Sequence, residues 1–141
     1  MSSNPDSSKN RRFGDNPVIF IVDDDPDSLA QTEEVLRTRG FRTFAFTHPS
    51  AALELESRLD IKPIILVTDY TMDSMNGFEL THELRRRVPE LRVVMLSGTL
   101  DGRTARQFPF RLEYFLSKPY EPEQLLEAVQ HCLSSDAPGF V

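Results

Sequence analysis

At 141 residues, with 39% hydrophobic and 27% charged side chains, the chain has the size and composition of one soluble domain able to bury a real core. A formal net charge of -6 and a pI near 5.0 argue against non-specific binding to nucleic acid. No apolar stretch approaches the roughly 20 residues needed to span a bilayer, and the N-terminus lacks the apolar core of a signal peptide.

In chain order, residues 1–16 are polar around one aromatic, Phe13, and are expected to form a flexible tail. The folded domain is expected over 17–134, with a second tail over 135–141. Its first apolar run, Val18 to Val22, ends in Asp23-Asp24-Asp25. Asp25-Pro26 then reads as a helix start, because proline suits the first helical position. Leu29, Val35 and Leu36 supply that helix with an inner face, and Gly40 supplies its stop. Phe41 to Phe46 reads as a second strand. A helix carrying Ala51, Ala52, Leu53 and Leu55 follows and ends before Lys62-Pro63.

The run Ile64 to Thr68 is short, β-branched and closed by Asp69, the pattern of a strand buried on both faces. Asn76-Gly77 closes the loop after it, and a helix is expected from about Phe78 to Val88. Arg85-Arg86-Arg87 falls in its last turn, where cations complement the helix dipole, and is expected to be solvated. Arg92 to Leu96 leads into Ser97, and a fifth strand, about Leu112 to Leu116, leads to Lys118-Pro119. The last helix, Pro122 to Leu133, aligns Leu125, Leu126, Val129 and Leu133. Cys132, on that helix, is expected to be a small packing residue. As the single cysteine it cannot form an internal disulfide, which suits a reducing cytosol.

Five strands alternating with helices imply a parallel sheet joined by right-handed crossovers, an α/β doubly wound fold. In such sheets ligands bind outside the carboxyl ends of the strands. Asp23, Asp24, Asp69, Ser97 and Lys118 all fall at strand ends. Carboxylates, a hydroxyl and an ammonium at one edge make a site for a metal-assisted phosphoryl group. Asp69, alone at its strand end, is the candidate nucleophile. Crowded carboxylates without a cation raise at least one pKa, and Mg²⁺ takes just such oxygen ligands. Asp25 reads mainly as a helix cap. His48, His82 and His131 lack the mutual spacing of metal ligands.

Four motifs stand in order: IFIVDDD, ILVTDYTMDSMNG, VVMLSG and FLSKP. Together they make the sequence resemble the receiver domain of bacterial response regulators, over about Pro17 to Leu133. The resemblance implies a flavodoxin-like (βα)5 fold with strand order 2-1-3-4-5. It implies transfer of a phosphoryl group from a phosphohistidine to Asp69, on a sensor histidine kinase or a histidine phosphotransfer protein, and signalling to an unknown output protein. No direct nucleic-acid or membrane contact is implied, and the cytoplasm is the expected location. Mg²⁺, or Mn²⁺, would be held by Asp24 directly, by Asp23 through water, by Asp69 and by the backbone carbonyl of Thr71. Lys118 would pair with the acyl phosphate and Ser97 would hydrogen-bond it. Ser97 and Phe115 would form the switch pair. Thr71 and Thr99 would flank the path of the hydrolytic water, which implies slow to moderate self-dephosphorylation.

The sequence departs from the family pattern at three places. Asp73 stands where proline is usual, Gly98 where alanine is frequent, and Thr99 to Arg111 lacks the usual alanine- and glycine-bearing helix. Gly102 and Pro109 lower helix propensity there, so a short or irregular fourth helix is expected between about Thr99 and Gln107. Two alternatives stand beside the main reading. A small phosphohydrolase of the haloacid-dehalogenase type would use Asp23 and Asp25 as Asp-x-Asp, with Ser97 and Lys118 in later motifs. It would be undersized, with Asp27 where Thr or Val belongs and no acidic pair after the lysine. A receiver that only docks, without phosphorylation, is the other.

Overall fold

The computed structural model describes residues 17–99, 103, 107 and 111–134. Five strands form one parallel sheet: β1 (Val18–Val22), β2 (Arg42–Phe46), β3 (Ile65–Asp69), β4 (Arg92–Ser97) and β5 (Tyr114–Ser117). Their spatial order is β2-β1-β3-β4-β5, as the family resemblance implies. Among the described residues four helices accompany them, α1 (Pro26–Thr38), α2 (Pro49–Leu59), α3 (Gly77–Arg87) and α4 (Pro122–Ser134). The expected short helix between Thr99 and Gln107 lies, but for Thr99, Arg103 and Gln107, outside the described residues.

Strand periodicity divides the core. Ile19 and Ile21 of β1 join Ile65 and Val67 of β3 beneath Leu29, Leu36, Leu125 and Val129, so α1 and α4 cover one face. Phe20, Val22 and Leu66 point the other way, against Ala52, Phe78, Leu80 and Leu84 of α2 and α3. Both faces of β1 and β3 are therefore sealed, and the polar residues that follow them emerge only at the strand ends. Each fully buried large side chain contributes roughly 1.5–3 kcal/mol to that arrangement.

The helix ends follow local chemistry. Asp25 caps α1 by accepting from the Asp27 N–H at 3.2 Å, with Pro26 at the first helical position. Gly40, at φ 90°, takes the left-handed turn that lets the chain leave α1. Asn76 and Glu79 form a reciprocal capping box on α3, each accepting the other's backbone N–H at 2.9 Å.

Two expectations need correction. The fifth strand begins at Tyr114 rather than Leu112, although the Glu113 N–H already donates to the Val93 carbonyl of β4 at 3.1 Å. Arg85 is not a solvated helix end. Its guanidinium donates to the carbonyls of Leu91 (3.1 Å) and Arg111 (2.6 Å) and to Glu113 Oε1 (3.2 Å). Burial lowers its pKa to about 10. Arg86 and Arg87 are exposed, as expected of a helix end, although Arg87 also reaches the buried Glu56 of α2 at 3.1 Å. Cys132 is fully buried and its thiol is pushed up to about 12 by that burial, as a packing residue should be.

Candidate phospho-acceptor site

The carboxyl edge of the sheet brings together residues that are far apart in sequence. Asp23 follows β1, and its backbone N–H continues the ladder onto the Phe46 carbonyl at 3.1 Å. Asp69 is the last residue of β3, and Tyr70 beyond it is still tied to β4 through the Leu96 carbonyl at 2.8 Å. Lys118 follows β5 and donates its backbone N–H to the Ser97 carbonyl at 2.9 Å. The sheet thus fixes the backbone of each site residue before any side chain is considered.

Carboxylate oxygens of Asp23, Asp24 and Asp69 lie within 4.8 Å of one another. Asp23 is fully buried and held on both oxygens: Oδ1 accepts from the Asp25 N–H at 3.0 Å, and Oδ2 accepts from Lys118 Nζ at 3.1 Å. Asp24 and Asp69 are only partly covered. The Lys118 ammonium also stands 3.5 Å from Asp69 Oδ2 and 3.4 Å from Ser28 Oγ. Burial raises the pKa of Asp69; Lys118 opposes that rise and Asp23 adds to it. Burial alone would lower the pKa of Lys118, but Asp23 and Asp69 more than offset it and leave it raised. Three carboxylates face one ammonium, so the pocket has negative charge in excess. Hard oxygen donors at this spacing fit a divalent cation such as Mg²⁺ or Mn²⁺.

The other expected residues take distinct positions. Ser97 is buried at the end of β4, and its Oγ accepts from the Thr99 N–H at 3.0 Å and meets Thr99 Oγ1 at 3.2 Å. Thr71 lies two residues beyond Asp69 in the exposed loop before α3. Phe115 is half-buried on β5 and packs with the α2–α3 side of the core. Gly98 leaves room beside Lys118: a Cβ there would meet only Lys118 Cβ, at 3.8 Å. Asp73 is exposed and outside the carboxylate group. None of the three histidines belongs to that group either; His131 stacks edge-on against Tyr114.

The profile of the response regulator receiver domain matches residues 19–130. The chain belongs to this family. A hybrid signal transduction histidine kinase C of Dictyostelium discoideum is 31% identical to the receiver over 131 residues, covering 84% of this chain and 10% of the relative. The sensor kinase CckA of Brucella abortus is 29% identical over 121 residues, covering 85% of this chain and 13% of the relative. The receiver therefore spans only about a tenth of the length of these two curated relatives. A CheY-like receiver domain protein from Methanospirillum hungatei superposes with a TM-score of 0.75 at 22% identity, covering 84% of this chain and 94% of that one. This likeness confirms the flavodoxin-like fold. Among the described residues no helix is long and apolar enough to cross a membrane.

Sequence reasoning missed two supporting residues and the full role of a third. Ser28 touches the Lys118 ammonium, and Thr32 hydrogen-bonds the Tyr120 phenol. Thr32 sits on the inner face of α1 between Leu29 and Leu36, with Ser28 one turn before it, and a polar residue on an apolar face was the available signal. Gly77 is the third. A Cβ there would lie 2.6 Å from Met95 Sδ and 2.7 Å from the Asp69 carbonyl oxygen, so α3 can start against Asp69 only with glycine.

Proposed function

We propose that this receiver accepts a phosphoryl group on Asp69 from a phosphohistidine of a sensor histidine kinase or histidine phosphotransfer protein. The functional unit is residues 17–134, and the signal passes to an output protein through a conformational change. The observation that carries the reading is the convergence of Asp23, Asp24 and Asp69 at one sheet edge with the Lys118 ammonium between Asp23 and Asp69. An Asp69 oxygen attacks phosphorus as the phosphorus–nitrogen bond breaks, and the departing imidazole takes up a proton. Lys118 stays with the carboxylate and pairs with the new phosphoryl oxygens. Ser97 turns its hydroxyl to one of these oxygens, and Phe115 packs inward behind it. A Mg²⁺ or Mn²⁺ ion held by Asp23, Asp24, Asp69 and the Thr71 carbonyl would neutralise charge on the transferring oxygens. Thr71 and Thr99, both short and uncharged, give the acyl phosphate a slow to moderate self-catalysed loss.

Incubation with acetyl phosphate and Mg²⁺, read by intact mass, tests this. One phosphoryl group should be added, none in excess chelator, and none to Asp69→Ala. Labelling that survives in Asp69→Ala would move the nucleophile to Asp23 and revive the hydrolase alternative. An unlabelled native protein that still binds kinase would make it a docking receiver.

A further inference from the structure

The Lys118 side chain leaves the short segment between β5 and α4, and that segment is tied to α1 by two contacts. Lys118 Nζ meets Ser28 Oγ at 3.4 Å, and the phenol of Tyr120 hydrogen-bonds the hydroxyl of Thr32. Ser28 and Thr32 are four residues apart on α1 and so lie above one another on one face. Lys118 and Tyr120 are two apart in a non-helical segment.

Thr32 is 1% exposed, between the apolar Leu29 and Leu36 of the same face. Valine would fill that space without a hydroxyl to satisfy, so packing alone does not require threonine. Beside the contact opens a cavity of about 730 Å³ bordered by Ser28, Thr32, Lys118, Pro119 and Tyr120. Dense packing therefore does not hold the segment on that side. The Lys118 N–H on the Ser97 carbonyl and the Tyr120 ring on the core anchor the segment from the sheet side, and the hydroxyl contacts tie it to α1.

We propose that Tyr120 and Thr32 are positioning residues for Lys118, their paired hydroxyls holding the β5–α4 segment where the ammonium reaches both Asp23 and Asp69. Only the kinetic consequence rests on the phospho-acceptor reading; the placement of the ammonium does not. Losing one hydrogen bond of this kind should slow labelling by acetyl phosphate in Mg²⁺ roughly three- to tenfold.

The test compares Tyr120→Phe, Thr32→Val and Thr32→Ser, each alone and with Lys118→Met. Two signals are read: the labelling rate, and the NMR resonance of the Lys118 ε-carbon without donor or metal, assigned by its loss in Lys118→Met. Tyr120→Phe and Thr32→Val should each slow labelling and shift or broaden that resonance. Thr32→Ser should restore both. In the Lys118→Met background neither variant should slow labelling further. Unchanged rate and resonance in both variants would overturn the proposal, as would equal slowing in the Lys118→Met background. If Tyr120→Phe does not fold, Thr32→Val decides. A shifted resonance in a native protein that acetyl phosphate never labels would uphold the positioning role and sink the phospho-acceptor reading.

Discussion

The two edges of one sheet treat charge in opposite ways. At the amino edge, Glu113 is buried and fully engaged: Oε1 accepts from the Val93 N–H at 2.7 Å and from Arg85, and Oε2 accepts from Arg111 at 2.6 Å. The arginines spend their remaining donors on the Leu91 and Arg111 carbonyls. Glu56, also buried, is met by both Lys62 at 2.6 Å and Arg87 at 3.1 Å. At the carboxyl edge, three carboxylates share one ammonium. Buried carboxylates each met by two cations hold a fold together; carboxylates that outnumber their cation make a place for something else to bind.

Removing a charge should thus cost most at the amino edge. Arg85→Ala would leave Glu113 short of a partner and two carbonyls short of a donor. It should lower the unfolding free energy by ~3 kcal/mol, measured by urea denaturation with an unchanged slope. A loss below about 1 kcal/mol would break the comparison, since that is the value of a solvated pair.

A substitution at the carboxyl edge that disturbs packing should come next. Gly77→Ala places a methyl group against the Asp69 carbonyl and Met95. Displacing them should cost ~1–3 kcal/mol. Because the displaced backbone is that of Asp69, phosphoryl labelling should slow as well. Full-rate labelling in a destabilised Gly77→Ala protein would mean that Met95 yields and Asp69 does not move.

Ligand stabilisation sharpens the contrast further. Mg²⁺ at ten times its dissociation constant should raise stability by about 1.4 kcal/mol. Asp24→Asn should remove most of this gain. Ser97→Ala should retain it, because only the first change deletes a ligand charge. An equal gain in Asp24→Asn would place the ion elsewhere.

The carboxyl edge was the more legible half of the molecule. Asp23, Asp24, Asp69 and Lys118 each end an apolar run, and strand periodicity puts the ends of parallel strands together whatever the details of packing. The amino edge was read less well. Arg85 was expected to be solvated because a basic helix end is explained by the dipole alone, and its real partners, Leu91, Arg111 and Glu113, come from other segments. The Ser28–Lys118 and Thr32–Tyr120 contacts were missed for the same reason: they join residues about ninety positions apart, and no local pattern encodes such pairs. Gly77 was recognised as a turn residue, but the cause of its glycine is the approach of Met95 and Asp69 from two strands.

The subtlest difference between the edges should appear in pH dependence. A carboxylate whose pKa is lowered by folding adds stability as pH rises. Asp69 should do the reverse, because burial, with Asp23 nearby, raises its pKa in the folded state despite Lys118. Between the unfolded value near 3.9 and the raised folded value, the native state holds more of this proton than the unfolded chain does. Stability contributed through Asp69 is therefore present at acid pH and declines as pH rises through that window. Asp69→Asn cannot ionise, so it escapes the decline. Without metal and at low ionic strength, its stability relative to native protein should grow across the window and level off above the folded pKa. Urea unfolding at a series of pH values measures this, since carboxylates remote from Asp69 cancel in the difference. Added Mg²⁺ should narrow the gap, because the ion relieves the same excess charge. A difference that stays flat, or an Asn variant less stable at neutral pH, would show that Lys118 already outweighs burial at Asp69. Asp69 would then be satisfied by its cation as the amino-edge carboxylates are by theirs, and a charge deficit could not be what draws a metal.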